Sequence, residues 1–171
     1  QTVVIITNQL EPGGAERFCL DMSKSFTQRG YTVILFAQRG VWSRRIAAEV
    51  EYIDLPLSSA RLSLIPIAWR IRMELKKRPA ILGVLANSMA SLLAIRMAYP
   101  FRTLPVIQVA HGWPCGRIPI VGYTTRLANR VLSVSDSLRK ALIGAGCRPD
   151  TIYHVPNGVD CEKFKPDMSV S

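Results

Sequence analysis

Short apolar runs alternate with longer segments of helical period along this chain of 171 residues. Residues 2–7, TVVIIT, are continuously apolar or β-branched, a pattern typical of a strand buried on both faces of a parallel sheet. Apolar residues then recur at every fourth position at Phe18, Met22 and Phe26, which predicts a helix over 15–29. The chain therefore opens with a strand followed by a helix that packs on it.

The remaining elements continue this alternation to the end of the chain. Further strands are predicted over 31–37, 50–55, 80–86, 104–110, 131–134 and 151–155. Further helices are predicted over 43–49, 62–77, from a cap at Asn87 or Ser88 to 97, over 124–129, and from a Ser135 cap to 145. This order indicates a Rossmann-like three-layer α/β/α domain with a mainly parallel sheet of about seven strands.

Composition is that of one packed domain with a strong positive field. Apolar residues make up 49% and charged residues 20%, which is usual for a globular chain of this length. The 22 Lys and Arg exceed the 12 Asp and Glu, giving a net charge of +10. Such a charge favours phosphates, nucleic acid or an acidic membrane face as partners, whereas a basic, solvated surface without a specific partner is the alternative.

The cysteine pattern and the hydropathy favour a cytoplasmic protein. The four cysteines form no C-x-x-C pair and no histidine lies at metal-ligand spacing from them, so we expect free thiols and no metal site. No signal peptide is visible, and no uninterrupted apolar run reaches the roughly 20 residues that span a bilayer. The expected location is the cytoplasm, including the inner face of the membrane.

The segment 61–78 mixes basic and apolar residues closely. Arg61, Arg70 and Arg72 stand among Leu, Ile, Met and Trp side chains, a composition typical of a helix at a membrane interface. Any helix that covers a sheet also needs an apolar stripe, so a core-packed helix is the alternative. The sequence leaves both interpretations open.

The loop after the first strand carries adjacent glycines just before the first helix. Ligands of open parallel sheets bind beyond the carboxyl ends of the strands, where this loop lies. Gly13 and Gly14 allow a ligand to approach the backbone closely, and the N–H groups of the helix start favour an anion. Neither a dinucleotide fingerprint nor a P-loop is present, and the alternative is a plain turn.

His111 follows the fifth predicted strand, at the same edge of the sheet. A neutral imidazole suits contact with a sugar hydroxyl or a developing charge, although a loop histidine bonded to backbone is the alternative. Trp113 could stack on a sugar face or fill its own loop. No Ser-His-Asp order, paired carboxylates or H-E-x-x-H motif appears. Supporting or acceptor-contacting positions at the strand ends are Glu16, Asn87, Ser88, Gly112, Trp113 and Ser135.

Four motifs in order along the chain carry a family resemblance. They are Gly13-Gly14-Ala15-Glu16 with Arg29-Gly30-Tyr31-Thr32-Val33, then Val109-Ala110-His111-Gly112, then Leu132-Ser133-Val134-Ser135, and finally Val155-Pro156-Asn157-Gly158-Val159-Asp160 with Phe164 and Pro166. This ordered set resembles the N-terminal domain of GT-B retaining glycosyltransferases of family 4. Tyr31 stands where that family more often has histidine.

The resemblance implies transfer of a sugar from a nucleotide-sugar donor to a glycan or lipid-linked acceptor, with retention and without a metal or other cofactor. Residues 1–157 would be the acceptor-side domain and 158–171 the start of an interdomain linker. The donor-binding C-terminal domain would lie outside this chain, so the isolated domain is expected to be inactive. By position, Gly13 and Gly14 would face the donor phosphates, His111 would lie near the transferred sugar as the catalytic residue, and Glu16 would help set the helix start.

Two other functions fit the sequence. One is a free-standing Rossmann-like module that binds a nucleotide, an anionic membrane or nucleic acid without catalysis; nucleic acid is disfavoured because the basic residues are scattered and no recognised motif appears. The other is half of a GT-B-type epimerase or phosphorylase, which matches the terminal N-G-V-D pattern less well.

Overall fold

The computed structural model describes residues 1–57, 64–78, 80–101, 103–112 and 118–158. Three of the expectations above therefore lie outside the described residues. They concern Trp113, the linker from 159 onward, and the first residues of the helix predicted from 62.

Seven parallel strands form one sheet, in the order β3-β2-β1-β4-β5-β6-β7. This confirms the predicted Rossmann-like fold. Because the strand order reverses between β1 and β4, a crevice lies at their carboxyl ends, where ligands bind in sheets of this type. The strands are β1 (Thr2–Gln9), β2 (Thr32–Gln38), β3 (Glu51–Asp54), β4 (Ile81–Ala86), β5 (Val106–Ala110), β6 (Arg130–Ser133) and β7 (Ile152–His154).

Five α-helices and three short 3₁₀ segments connect the strands of the described chain. The α-helices are α1 (Gly14–Gln28), α2 (Ile65–Lys76), α3 (Met89–Ala98), α4 (Ile118–Thr124) and α5 (Asp136–Gly144). The 3₁₀ segments are Val41–Arg45, Thr125–Leu127 and Pro149–Thr151.

Two helix predictions were wrong in position or type. The helix expected over 43–49 is a single 3₁₀ segment, Val41–Arg45, which ends because the backbone of Ile46 is extended. The helix expected over 124–129 instead begins at Ile118 and closes with a 3₁₀ turn. A β-carbon added at Gly122 would lie 2.7 Å from the carbonyl carbon of Ala145, so close packing against the end of α5 fixes α4 despite its poor helix formers.

The apolar core divides between the two faces of the sheet. Side chains alternate along β1, so Val4 and Ile6 pack with α2 and α3 while Val3 and Ile5 pack with α1. Helices α2, α3 and α5 contribute to the first of these cores, and the α1 side chains that the spacing predicted contribute to the second. The continuous apolar run of β1 is thus explained by burial on both faces.

Polar caps start the two helices whose caps were predicted. The hydroxyl of Ser88 accepts from the backbone N–H of Ser91 at 3.0 Å, and that of Ser135 accepts from Leu138 at 3.2 Å. Each helix follows a strand directly, so both N-termini lie at the carboxyl edge of the sheet. The polar residues of the candidate site lie at this edge.

Candidate functional site

Asn87 joins the carboxyl ends of β1, β4 and β5. It follows β4 directly and is only 6% exposed. Its side-chain NH₂ donates to the carbonyl oxygen of Ala15, in the first turn of α1, at 3.0 Å, and to Oγ1 of Thr7 on β1 at 3.3 Å. Its Oδ1 lies 2.6 Å from Nε2 of His111. One buried amide therefore connects His111 with the loop that carries the glycines.

This network assigns the proton of His111. A carbonyl oxygen only accepts, so the NH₂ of Asn87 must face Ala15 and the amide oxygen must face His111. Since that oxygen also only accepts, Nε2 carries the proton and Nδ1 of the neutral ring carries the lone pair. No residue in the described part of the chain bonds to Nδ1, so this nitrogen is available to accept from a ligand hydroxyl.

Packing and burial keep the imidazole oriented and neutral. The ring of Phe18, on α1, meets that of His111 edge-on at 5.0 Å between centroids. Burial disfavours the charged imidazolium and lowers the pKa of His111 below its ordinary value of 6.5. The ring is thus fixed by Phe18 and Asn87, and its neutral form persists to lower pH than for a free histidine.

The glycine turn leaves open space on one side. Gly13 is the N-cap of α1, and a β-carbon there would overlap the carboxylate of Glu16. Nothing lies within 4 Å of a β-carbon added at Gly14, so this residue borders open space. Glu16 lies in the first turn of α1, where its charge complements the helix dipole. An anion at this turn would therefore approach Gly14 and not the side of Gly13 that Glu16 covers.

Of the other predicted site residues, the two serines form hydrogen bonds within the chain and Gly112 is exposed. The hydroxyl of Ser88 donates to Oδ1 of Asn8 at 2.7 Å in addition to capping α3, which ties the end of β1 to the loop after β4. The hydroxyl of Ser135, the N-cap of α5, lies 3.1 Å from that of Ser137 in the first turn of that helix. Gly112 is exposed beside His111 and a β-carbon there would meet nothing within 4 Å.

Sequence analysis missed three residues of this cluster: Thr7, Asn8 and Phe18. The signal for the first two was their polarity directly after the apolar residues of β1, at the edge where ligands bind. Phe18 looked like one more core position of α1. Its contact with His111 connects residues far apart in sequence and leaves no local pattern.

A cavity of about 550 Å³ lies at the loop that follows β2. A β-carbon added at Gly40 would lie 2.6 Å from the carbonyl carbon of Leu10, so the loops after β1 and β2 are in direct contact. The backbone N–H of Arg39 donates to Oδ1 of Asp54 at 3.0 Å, which anchors this wall at the end of β3. The cavity is lined by Arg39, Gly40, Val41, Ser43, Arg44 and Tyr52.

The described residues contain neither a metal-binding cluster nor a membrane-spanning helix. Within these ranges no group of three or more His, Cys, Asp and Glu side chains is arranged to hold a metal ion. No helix of the described chain has both the length and the apolar character needed to cross a bilayer.

Comparison with known proteins identifies a sequence family and several similar folds. The family model described as Glycosyltransferase Family 4 matches residues 12–163. Anabaena HepE, solved with UDP-glucose, superposes with a TM-score of 0.75 at 18% identity over 98% of this chain and 47% of its own. No significant match is found among curated proteins.

Two further structures share the fold at similar identity. The lipopolysaccharide outer core galactosyltransferase WaaB superposes with a TM-score of 0.67 at 15% identity, over 98% of this chain and 50% of its own. The UDP-N-acetylglucosamine 2-epimerase from Rickettsia bellii gives 0.66 at 16% identity, over 99% of this chain and 49% of its own. The chain therefore spans about half the length of the proteins it resembles.

Proposed function

This chain belongs to glycosyltransferase family 4, and on that premise we propose that it is the acceptor-side half of a retaining glycosyltransferase. The complete enzyme moves a sugar from a nucleotide-sugar donor to a glycan or lipid-linked acceptor. HepE, one of the proteins with this fold, was solved with UDP-glucose and with UDP, which supports a nucleotide-sugar donor. We propose no metal or other cofactor.

The bond between Asn87 and His111 is the observation that carries the proposal. With Nε2–H committed to Asn87, His111 presents an unprotonated Nδ1 at the carboxyl edge of the sheet. In the proposed enzyme this nitrogen accepts from a hydroxyl of the sugar being transferred and fixes that sugar relative to the acceptor. The lowered pKa of His111 keeps the acceptor nitrogen available near neutral pH.

The start of α1 is proposed to bind the donor diphosphate. Its first N–H groups have no partner within the helix, and the helix dipole favours negative charge there. Gly14 borders open space, so a phosphate oxygen can reach the backbone. Backbone N–H groups held in this way stabilise the negative charge that develops on the diphosphate as it leaves.

The cavity at the loop after β2 is proposed to hold part of the acceptor. Arg39 and Arg44 line it; Arg39 pairs with Asp54 at 3.8 Å, so Arg44 is the guanidinium proposed to bind a phosphate or carboxylate through paired hydrogen bonds. An acceptor that carries such a group, for example a phosphorylated or lipid-linked glycan, suits these walls. We propose that the remaining donor contacts come from a second domain outside these residues. Residues 1–157 alone would then bind the nucleotide sugar weakly and would not catalyse sugar transfer.

The decisive experiment removes His111 from the complete enzyme. His111→Ala should lower turnover by about 10²-fold, as loss of a positioned polar catalytic group does, while the fold remains. His154→Ala is the matched control, because His154 is the second histidine of the chain and lies on β7. Transfer of a labelled sugar measures the rate, NMR of the product reports the anomeric configuration, and EDTA tests metal independence.

Three outcomes would count against the proposal. Full activity of His111→Ala would remove the catalytic role of that side chain. Inversion at the anomeric carbon would exclude the retaining mechanism. Conversion of one nucleotide sugar into another without an acceptor would favour the epimerase activity named for the Rickettsia bellii protein of the same fold.

A further inference from the structure

Helix α2 carries apolar side chains on two faces. Ile67, Ile71 and Leu75 are buried in the core, which is the stripe that any helix packed on a sheet requires. That stripe packs α2 on the sheet, as the sequence analysis expected of a core-packed helix. It does not account for the apolar residues on the opposite side of the helix.

Those residues form a line along the outer surface. Ile65, Trp69 and Met73 are 67%, 65% and 40% exposed, and their spacing of four places them one above another on the helix. We name these three residues the outer stripe. Single exposed apolar residues are ordinary, but an aligned set that includes a tryptophan is typical of a surface that contacts another phase or partner.

Positive charges flank the outer stripe. Arg70, Arg72 and Lys76 are exposed beside it, and neither Arg70 nor Lys76 forms a salt bridge within the described residues. The acidic residue of this helix, Glu74, pairs with Lys77 at 3.1 Å. The surface around the stripe is therefore basic, in keeping with the net charge of +10.

Arg72 extends the surface to the end of α3. Its Nη1 donates to the carbonyl oxygen of Ala98 at 2.7 Å, and its guanidinium lies 5.5 Å from the centre of the Tyr99 ring. The chain then continues to Phe101, which is 87% exposed. A second large aromatic side chain thus lies exposed beyond the α3 end that Arg72 contacts.

We propose that the outer stripe docks this domain on an anionic lipid bilayer. Trp69 and its apolar neighbours enter the interface between headgroups and acyl chains, while Arg70 and Lys76 bind lipid phosphates. A flat bilayer accepts a straight line of separate apolar side chains with cations on both sides. Nucleic acid would be attracted by the cations alone and gives the apolar line no role, and the stripe presents no groove for a peptide.

The position of α2 relates this surface to the candidate site. The helix follows β3, so its N-terminal residue Ile65 lies toward the carboxyl edge of the sheet and Lys76 toward the opposite edge. Docking through the outer stripe therefore brings the site edge near the membrane, where a lipid-linked acceptor would be. Membrane binding itself requires no catalysis, so it stands or falls separately from the proposed transfer reaction.

Vesicle sedimentation of the 171-residue chain tests the apolar half of the surface. The probes are vesicles of phosphatidylcholine alone and vesicles of equal parts phosphatidylcholine and phosphatidylglycerol, at low salt. The chain should bind the anionic vesicles and Trp69→Glu should lower the partition coefficient at least about tenfold. Tyr123→Glu is the matched control, because Tyr123 is also aromatic and 65% exposed, on α4.

Charge variants test the basic half. Replacing Arg70 and Lys76 together by Gln should weaken binding about fivefold for each charge removed. The control removes Lys24 and Lys140, exposed cations of α1 and α5, and should have less effect although it changes the net charge equally. Trp69→Phe provides a second readout: binding should persist while quenching of tryptophan emission by brominated lipid falls.

Two results would overturn the proposal. One is failure of the unchanged chain to sediment with anionic vesicles at low salt. The other is equal binding of the Trp69→Glu and Tyr123→Glu variants, which would reduce the interaction to general attraction of a basic protein. Circular dichroism of each variant establishes that it is folded before binding is compared.

Discussion

Two regions of this domain reverse the usual distribution of polar and apolar side chains. At the carboxyl edge, Thr7 and Asn87 are polar and buried. On the outer surface of α2, Ile65 and Trp69 are apolar and exposed. In the first region the hydrogen-bonding groups of the buried Asn87 side chain are satisfied within the chain, by Thr7, Ala15 and His111. For the side chain of Trp69, the described residues provide no comparable network.

The difference distinguishes two kinds of functional evidence. A buried polar group without partners is costly, so a satisfied network at a ligand-binding edge indicates a rigid, prepared site. An exposed apolar line has no stabilising role in the isolated domain, so it indicates a contact with something else. If this distinction holds, loss of the buried bonds in the first region should lower the free energy of unfolding, and substitutions in the second should leave it nearly unchanged.

The largest effect is expected from Asn87→Leu. This change removes the donor to Ala15 and leaves the Nε2–H of His111 without its acceptor, so it should lower the free energy of unfolding by about 3 kcal/mol. Urea denaturation measures the loss. Ser88→Ala is the neighbouring control and should cost only about 1–2 kcal/mol, for loss of a helix cap together with the hydrogen bond to Asn8. Equal losses in the two variants would show that the Asn87 hydrogen bonds contribute no more to the free energy of unfolding than the Ser88 hydroxyl does.

Much of the fold could be predicted because its determinants are local. The continuous apolar run of β1 reflects burial on both faces, and the cap residues Ser88 and Ser135 accept from N–H groups three positions away. The position of α4 could not be predicted, because it depends on contact between Gly122 and Ala145. Periodicity describes one element at a time and does not register such contacts.

The location of the site at the carboxyl edge of the sheet could be predicted, but the hydrogen bonds within it could not. Strand ends indicated where His111 and Gly14 lie, since parallel strands place their carboxyl ends together. The hydrogen bond between Asn87 and Thr7 joins residues 80 positions apart, and no pattern in the sequence marks it. For α2 the sequence contained two apolar stripes, and only packing decides which of them faces the core.

A smaller effect is expected from pH. The pKa of His111 in the folded chain lies below its ordinary value of 6.5, so between the two values the unfolded chain binds more protons. The free energy of unfolding should therefore rise as pH increases through this window and level off above about pH 7. Urea denaturation of the unchanged chain and of His111→Gln measures the difference, because the variant lacks this titration but retains every other one. A rise of equal size in both would assign the pH dependence to other groups.

The smallest effect is expected from Trp69→Ser, and that small size is the informative result. Trp69 is large and apolar, yet it is exposed on the side of α2 away from the core, so its loss should change the free energy of unfolding by no more than about 0.5 kcal/mol. Ile71→Ala, two residues along the same helix but in the core, should cost about 2–5 kcal/mol under the same conditions. A large loss from Trp69→Ser would mean that the outer stripe stabilises the domain itself, and its exposure would no longer point to a bilayer. A negligible loss, combined with loss of vesicle binding, would leave contact outside the chain as the role of that side chain.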